Sequence, residues 1–166
     1  ELYESNVPFG FVQLGPTSIP QDWDWCSGYN RSDSTVIGFA HTHLSGTGCG
    51  DLHDITVMPV VGQVTYARGR HDDPQSGLWS YQDRNKERAR AGYYQCHLSR
   101  YHIDAELTAT SRVGLHRYTF PESTEAGIVF DQVHGGGWDR CRESMVRVID
   151  NRTIEGYRYS SGWAED

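Results

Sequence analysis

Apolar and polar residues alternate along much of this chain. In residues 103–110 every second position is apolar, which puts Ile103, Ala105, Leu107 and Ala109 on one face of an extended strand and Asp104, Glu106 and Thr108 on the other. Residues 113–120 are rich in β-branched and aromatic side chains and follow after Ser111-Arg112, so the two segments predict a hairpin that Pro121 ends. Further strands are expected at 10–14, 35–40, 55–61, 92–98, 128–131 and 145–150. The turn signal Asp150-Asn151-Arg152 then sends 153–159 back antiparallel. Residues 83–91 contain helix-favouring side chains but too few apolar ones to pack a face, and read as a surface loop with one helical turn. Residues 70–76 and 134–139, with Gly135-Gly136-Gly137, read as loops. This spacing predicts an all-β, antiparallel β-sandwich, with residues 1–166 forming one domain.

Composition supports that class. The 166 residues include 18 glycines, 10 tyrosines and 5 tryptophans but 2 methionines, which suits short strands and tight turns better than a helical bundle. With 22 acids against 15 bases the net charge is −7, and no basic run is present to neutralise phosphates, so nucleic acid is not an expected partner. No apolar stretch reaches membrane-spanning length, and a membrane is not an expected partner either. The chain opens at Glu1 without a basic-then-apolar leader, which reads as a processed or engineered start. Cys26, Cys49, Cys96 and Cys141 show no Cys-x-x-Cys spacing. Three pairings remain open, and a chain of this size folds with or without a bridge.

Candidate chemistry is concentrated near the amino-terminal end. Trp23-Asp24-Trp25-Cys26-Ser27-Gly28-Tyr29 sets two indoles around an acid. Indole faces stack on the C–H surface of a pyranose and a carboxylate accepts from neighbouring hydroxyls; the competing reading makes either tryptophan simply core. His41-Thr42-His43 precedes a glycine-rich run at 46, 48 and 50 and then Asp51. On a strand His41 and His43 would share a face, a geometry that metal sites use, with Cys49 or Asp51 as further ligands. The spacing matches no familiar zinc site, which favours histidines that hydrogen-bond beside a polar cleft. Asp51 and Asp54 have the spacing of turn and cap chemistry, and Glu106 that of a solvated strand face. The glycine run precedes no helix and is a poor phosphate cradle, and no Gly-x-Ser-x-Gly or dinucleotide fingerprint occurs.

Several segments in order resemble the amino-terminal domain of glycoside hydrolase family 92. They are residues 7–14, the Trp23–Tyr29 segment, 32–39, His41-Thr42-His43-Leu44-Ser45-Gly46-Thr47-Gly48, 51–59, Gly92-Tyr93-Tyr94, 105–110, 112–121 and 154–163. The resemblance implies an exo-acting, inverting, calcium-assisted α-mannosidase that trims mannose from glycans and is secreted, periplasmic or at the cell surface. It also implies that this β-sandwich packs on an (α/α)6 barrel carrying both catalytic carboxylates, so no catalytic residue and no metal site is expected in this chain. An inverting glycosidase holds its acid and base about 6.5–9.5 Å apart to admit the attacking water. By the same transfer Trp23 is the stacking platform, with Asp24, Trp25, His41, His43 and Asp51 as sugar-binding or supporting residues and Cys26 and Cys49 as packing neighbours. Calcium belongs mainly to the barrel. Residues 95–97 and 133–142 follow no family pattern, and Trp25 is larger than its usual counterpart.

The resemblance implies further that the sandwich is incomplete at Asp166, leaving an edge and an apolar face that invite self-association. Two other readings stand beside it. One is a free-standing carbohydrate-binding module; the other is a metal-dependent hydrolase built on His41, His43 and Asp51.

Overall fold

The computed structural model describes residues 7–8, 10–19, 27–44, 50–67, 70, 73 and 76–162. Twelve strands are present among them: β1 (Gly15–Thr17), β2 (Thr35–Val36), β3 (Gly38–Ala40), β4 (Thr56–Val61), β5 (Ser80–Tyr81), β6 (Arg88–Arg90), β7 (Tyr93–Leu98), β8 (Ile103–Ala109), β9 (Gly114–Thr119), β10 (Ala126–Asp131), β11 (Arg140–Val148) and β12 (Ile154–Ser161). Two four-stranded antiparallel sheets, ordered β1-β3-β4-β10 and β6-β7-β8-β9, make the sandwich. β2 pairs with β5, and β11 with β12, as separate two-stranded ribbons.

Alternation decides which side chains meet. β7 sends Tyr94, Cys96 and Leu98 inward, and β8 sends Ile103, Ala105 and Leu107, against Leu14, Phe39, Met58 and Val60. Each full burial of a side chain of this size is worth about 1.5–3 kcal/mol. Burial also pushes the Cys96 thiol up to about 12, so it stays protonated and inert. Cys96 and Cys141 are both free thiols.

The predicted hairpin at 103–120 is present, with Ala109 opposite Gly114. The turn at 150–152 is closed by Ile149 N donating to Thr153 O at 2.9 Å and Arg152 N to Asp150 Oδ1 at 2.7 Å.

Other expectations are corrected. The strand predicted at 10–14 instead forms at Gly15–Thr17, and the segment before it is held by Phe11 N donating to Ser111 O and Gln13 N to His41 O. The strand predicted over 35–40 breaks at Ile37, whose N–H donates to Thr17 O. Ile37 then packs with Ile19 and Trp79 in a second small core, while Val36 and Phe39 stay in the main one.

Residues 83–91 form a 3-10 turn, Arg84–Lys86, capped by Asp83 accepting from Asn85 N, and then the edge strand β6. This stretch does more than cover the surface. Arg84 Nη1 donates to Tyr29 Oη at 2.7 Å and to Glu87 at 3.0 Å, and Tyr94 Oη donates to Glu87 Oε1 at 3.0 Å, pinning Tyr29 to the sandwich.

Candidate functional site

The segments singled out above meet around His53, a residue the sequence reading passed over and which is fully buried. Leu52 precedes it with φ 70, a left-handed turn supported by Leu52 N donating to Asp51 Oδ1 at 3.0 Å. That turn aims the imidazole inward. His53 stacks on His43, with ring centroids 5.6 Å apart and planes 18° apart. Thr42 Oγ1 donates to Leu52 O at 2.8 Å, and Leu44 N to Asp51 O at 3.3 Å, so segments 41–44 and 51–53 run bonded side by side.

Gly28 lies on the other side of the ring. Its φ is 81, and a Cβ there would fall 2.5 Å from His53 Cε1, so only glycine meets both demands. Ser18 N donates to Gly28 O at 2.6 Å and Ile19 N to Thr35 Oγ1 at 3.0 Å, which joins the flanks of residues 20–26 beside His53. Trp23, Asp24, Trp25, Cys26 and Cys49 lie outside the described residues.

The glycine loop assigned to no pattern closes this cluster. Gly136 N donates to His53 O at 3.1 Å and Trp138 N to Gly50 O at 2.7 Å. A Cβ on Gly136 would collide with Thr17 Cγ2, and one on Gly137 with Gly50 O. Close backbone approach explains the glycines at these two positions.

Beneath the loop, Asp139 Oδ2 meets Arg158 Nη2 at 2.6 Å, and Arg158 Nη1 donates to Asp54 O at 2.6 Å and lies 3.2 Å from Asp54 Oδ1. The Arg158 and Asp139 side chains are buried. Burial, offset by Arg158 and reinforced by the Asp54 and Asp51 carboxylates, holds the Asp139 carboxyl above its ordinary range. Asp54 is therefore an anchor for β12. Asp51, read from its spacing as turn chemistry, caps Leu52 N and is 7% exposed.

His41 and His43 do not share a face, because β3 ends at Ala40 and the period-two rule no longer applies. His43 turns to His53, with its Nδ1–H donating to Leu44 O at 2.7 Å. His41 turns to β9, where its Nε2 lies 3.0 Å from His116 Nε2, and His116 Nδ1 lies 2.6 Å from Tyr118 Oη. Gly114 leaves room, since a Cβ there would sit 2.5 Å from His41 Cδ2.

Burial lowers His41 and brings His116 down to about 4, so both rings are neutral near pH 7. Two polarities fit this row. Each leaves one terminal donor without a partner among the described residues: the His41 Nδ1–H if Tyr118 Oη donates to His116, or the half-buried Tyr118 O–H if His116 donates to it. The Tyr118 hydroxyl, held by its ring's stack on Phe39 and with its pKa raised by burial, is the costlier donor to leave idle, which favours Tyr118 Oη donating to His116 Nδ1, His116 Nε2–H to His41 Nε2, and the His41 proton on Nδ1.

The divergence of His41 and His43 removes the shared face on which a metal-hydrolase reading relied. Among the described residues no group of three or more His, Cys, Asp or Glu side chains converges as a metal site. Asp54 and Asp139 are turned to the Arg158 guanidinium, which stands where a cation would be held. With the guanidinium between them, Asp54 and Asp139 do not fit calcium.

Comparison with known proteins places this arrangement. A family GH92 α-mannosidase from Bacteroides thetaiotaomicron matches 98% of this chain at 38% identity with a TM-score of 0.92, and its complex with mannoimidazole matches at 39% and 0.91. An inverting mannosidase of the same family and organism shares the fold at 22% identity and a TM-score of 0.68, over 99% of this chain and 20% of that one. A protein of Arthroderma benhamiae named as an uncharacterized secreted glycosidase is 31% identical over 102 residues, covering 58% of this chain and 12% of that protein. The chain spans about a fifth of the length of the α-mannosidase, 22% and 21% in its two structures. Residues 3–166 match the glycosyl hydrolase family 92 N-terminal domain, and this chain belongs to that family.

Proposed function

We propose that this chain is the sugar-facing amino-terminal domain of an inverting, calcium-dependent α-mannosidase that removes terminal mannose from glycans outside the cell or at its surface. The observation that carries the reading is the likeness, along nearly the whole chain, to an α-mannosidase also solved with mannoimidazole. The secreted glycosidase among the relatives supports the location. The loop cluster supports the role, because His53 draws the flanks of the Trp23–Trp25 segment, His41–Leu44 and the 135–138 loop into one lip.

In this reading Trp23 stacks on the sugar, Asp24 and Trp25 border it, and His41 lines the lip. His43 and Asp51, both buried, support that lip from behind. The acid and base lie elsewhere in the parent protein: Asp54 and Asp139 are committed to Arg158, and neither stands free to activate water or protonate a leaving oxygen. Val146, Val148 and Ile154 are exposed on the β11–β12 ribbon. We propose that the parent's (α/α)6 domain and remaining sandwich strands cover such surface, and that the isolated chain self-associates through it.

The test is hydrolysis of an activated aryl α-mannoside with calcium by this chain and by the longer protein containing it. The longer protein is expected to turn it over and this chain to show background only. Turnover by this chain that disappears in Asp24→Ala or Asp51→Asn would overturn the reading.

A further inference from the structure

We propose that Tyr118 and His116 are positioning residues that hold His41 as a fixed hydrogen-bond donor, Nδ1–H outward, for an oxygen of the bound mannoside. The ligand half of this inference rests on the α-mannosidase reading above; the polarity of the row does not. Tyr118 stacks on Phe39 with centroids 6.1 Å apart, so its hydroxyl is fixed by the core, and it meets His116 Nδ1 at 2.6 Å. His116 passes that polarity to His41 across 3.0 Å, Nε2 to Nε2. With its Nε2 an acceptor, the proton of the neutral His41 ring resides on Nδ1. Among the described residues no hydrogen bond reaches that Nδ1, and His41 is partly exposed.

Position supports a ligand contact. His41 opens the segment whose following residues bond to Leu52 and stack on His53, so it borders the lip without being part of its packing. Gly114 supplies the space that lets the ring lie flat against β9. A histidine free to change tautomer could accept or donate, whereas one tied to a core phenol can only donate. Such a contact recognises a lone pair on the sugar, and it is indifferent to pH until the rings protonate.

The experiment records long-range imidazole proton–nitrogen spectra of the nitrogen-15-labelled chain near pH 7.5, well above where neutral histidines titrate, and titrates methyl α-mannoside. The expected result is a protonated Nδ1 and bare Nε2 on His41, the reverse on His116, and a sugar-dependent shift at His41 Nδ1. In Tyr118→Phe, which keeps the ring on Phe39, both histidines should become tautomer mixtures, and mannoside affinity should fall about fivefold, as loss of one oriented hydrogen bond predicts. His41→Asn, which keeps a donor near the Nδ1 position, should bind better than His41→Gln, with melting temperature as the folding control.

A His41 proton on Nε2, or tautomers unchanged in Tyr118→Phe, would sink the proposal whatever the sugar does. Shifts at tryptophan indoles with none at His41 would sink it too, while leaving the α-mannoside reading in place. Shifts nowhere at saturating sugar would remove the ligand and the sugar-facing reading together.

Discussion

Within one sheet, Tyr94, Cys96 and Leu98 of β7 lie opposite Leu107, Ala105 and Ile103 of the paired strand β8, so these partners in space are near neighbours along the chain. Around His53 the partners are Thr17, Gly28, His43, Gly136 and, through Asp54, Arg158, drawn from the whole length of the sequence. The sheets spread their stability over many interchangeable apolar contacts. The lip concentrates it in a few non-interchangeable ones: a glycine where a Cβ would collide, an arginine shared by two acids, a histidine stack. Substitutions in the first region should therefore cost global stability in proportion to volume, and those in the second should cost local order and ligand affinity out of proportion to size.

The largest effect tests the sheet side. Phe39→Ala removes a fully buried ring at the centre of the core and is expected to lower unfolding free energy by about 3–5 kcal/mol, read from the urea midpoint at unchanged slope. A loss under about 1 kcal/mol would mean that the sheets do not pack as described.

The second effect separates the regions by pH. His116 is depressed in the folded state to about 4, so its contribution is present above its unfolded value of 6.5 and is lost as pH falls from there through about 4. The size is on the order of 3 kcal/mol. Asp139 is raised, so its contribution is present below its unfolded value of 3.8 and is lost as pH rises through the folded one. His116→Asn should flatten the acid limb of a midpoint-against-pH curve. Arg158→Met should instead steepen the loss on the rising-pH side, because Asp139 then ionises without its partner. Both variants bending the same limb would contradict the assignment.

The smallest effect is local. Gly137→Ala forces the 134–138 loop off Gly50 O and is expected to cost about 1–3 kcal/mol. Exchange protection should fall at Trp138 N and Gly136 N, and β7–β8 amides should be unaffected. Uniform loss of protection would show that the lip and the sandwich unfold as one unit.

The strands of the second sheet were legible because their burial has period two and their partners are close in sequence. Residues 103–110 needed no other chain segment to declare an inside and an outside. Where a second partner intervenes, local pattern does not decide the structure: Ile37 belongs to a different core from its neighbours because Thr17 captures its amide, and residues 88–90 form an edge strand because β7 offers one. The His-Thr-His pair was visible as chemistry, but its shared face was not real, since the strand ended at Ala40, before either histidine.

By itself the sequence determined the all-β class, the 103–120 hairpin and, through its motifs, the resemblance to the family; each rests on residues adjacent in the chain or on an order of motifs that needs no coordinates. Tertiary structure alone decided that His53 is the hub, that the Gly135-Gly136-Gly137 loop closes over it, that Asp54 and Asp139 share Arg158, and that Tyr118 reaches His41 through His116. Those are contacts between segments remote in sequence, and their residue types are common ones. A histidine, a glycine or an aspartate acquires its role only from what folding brings against it.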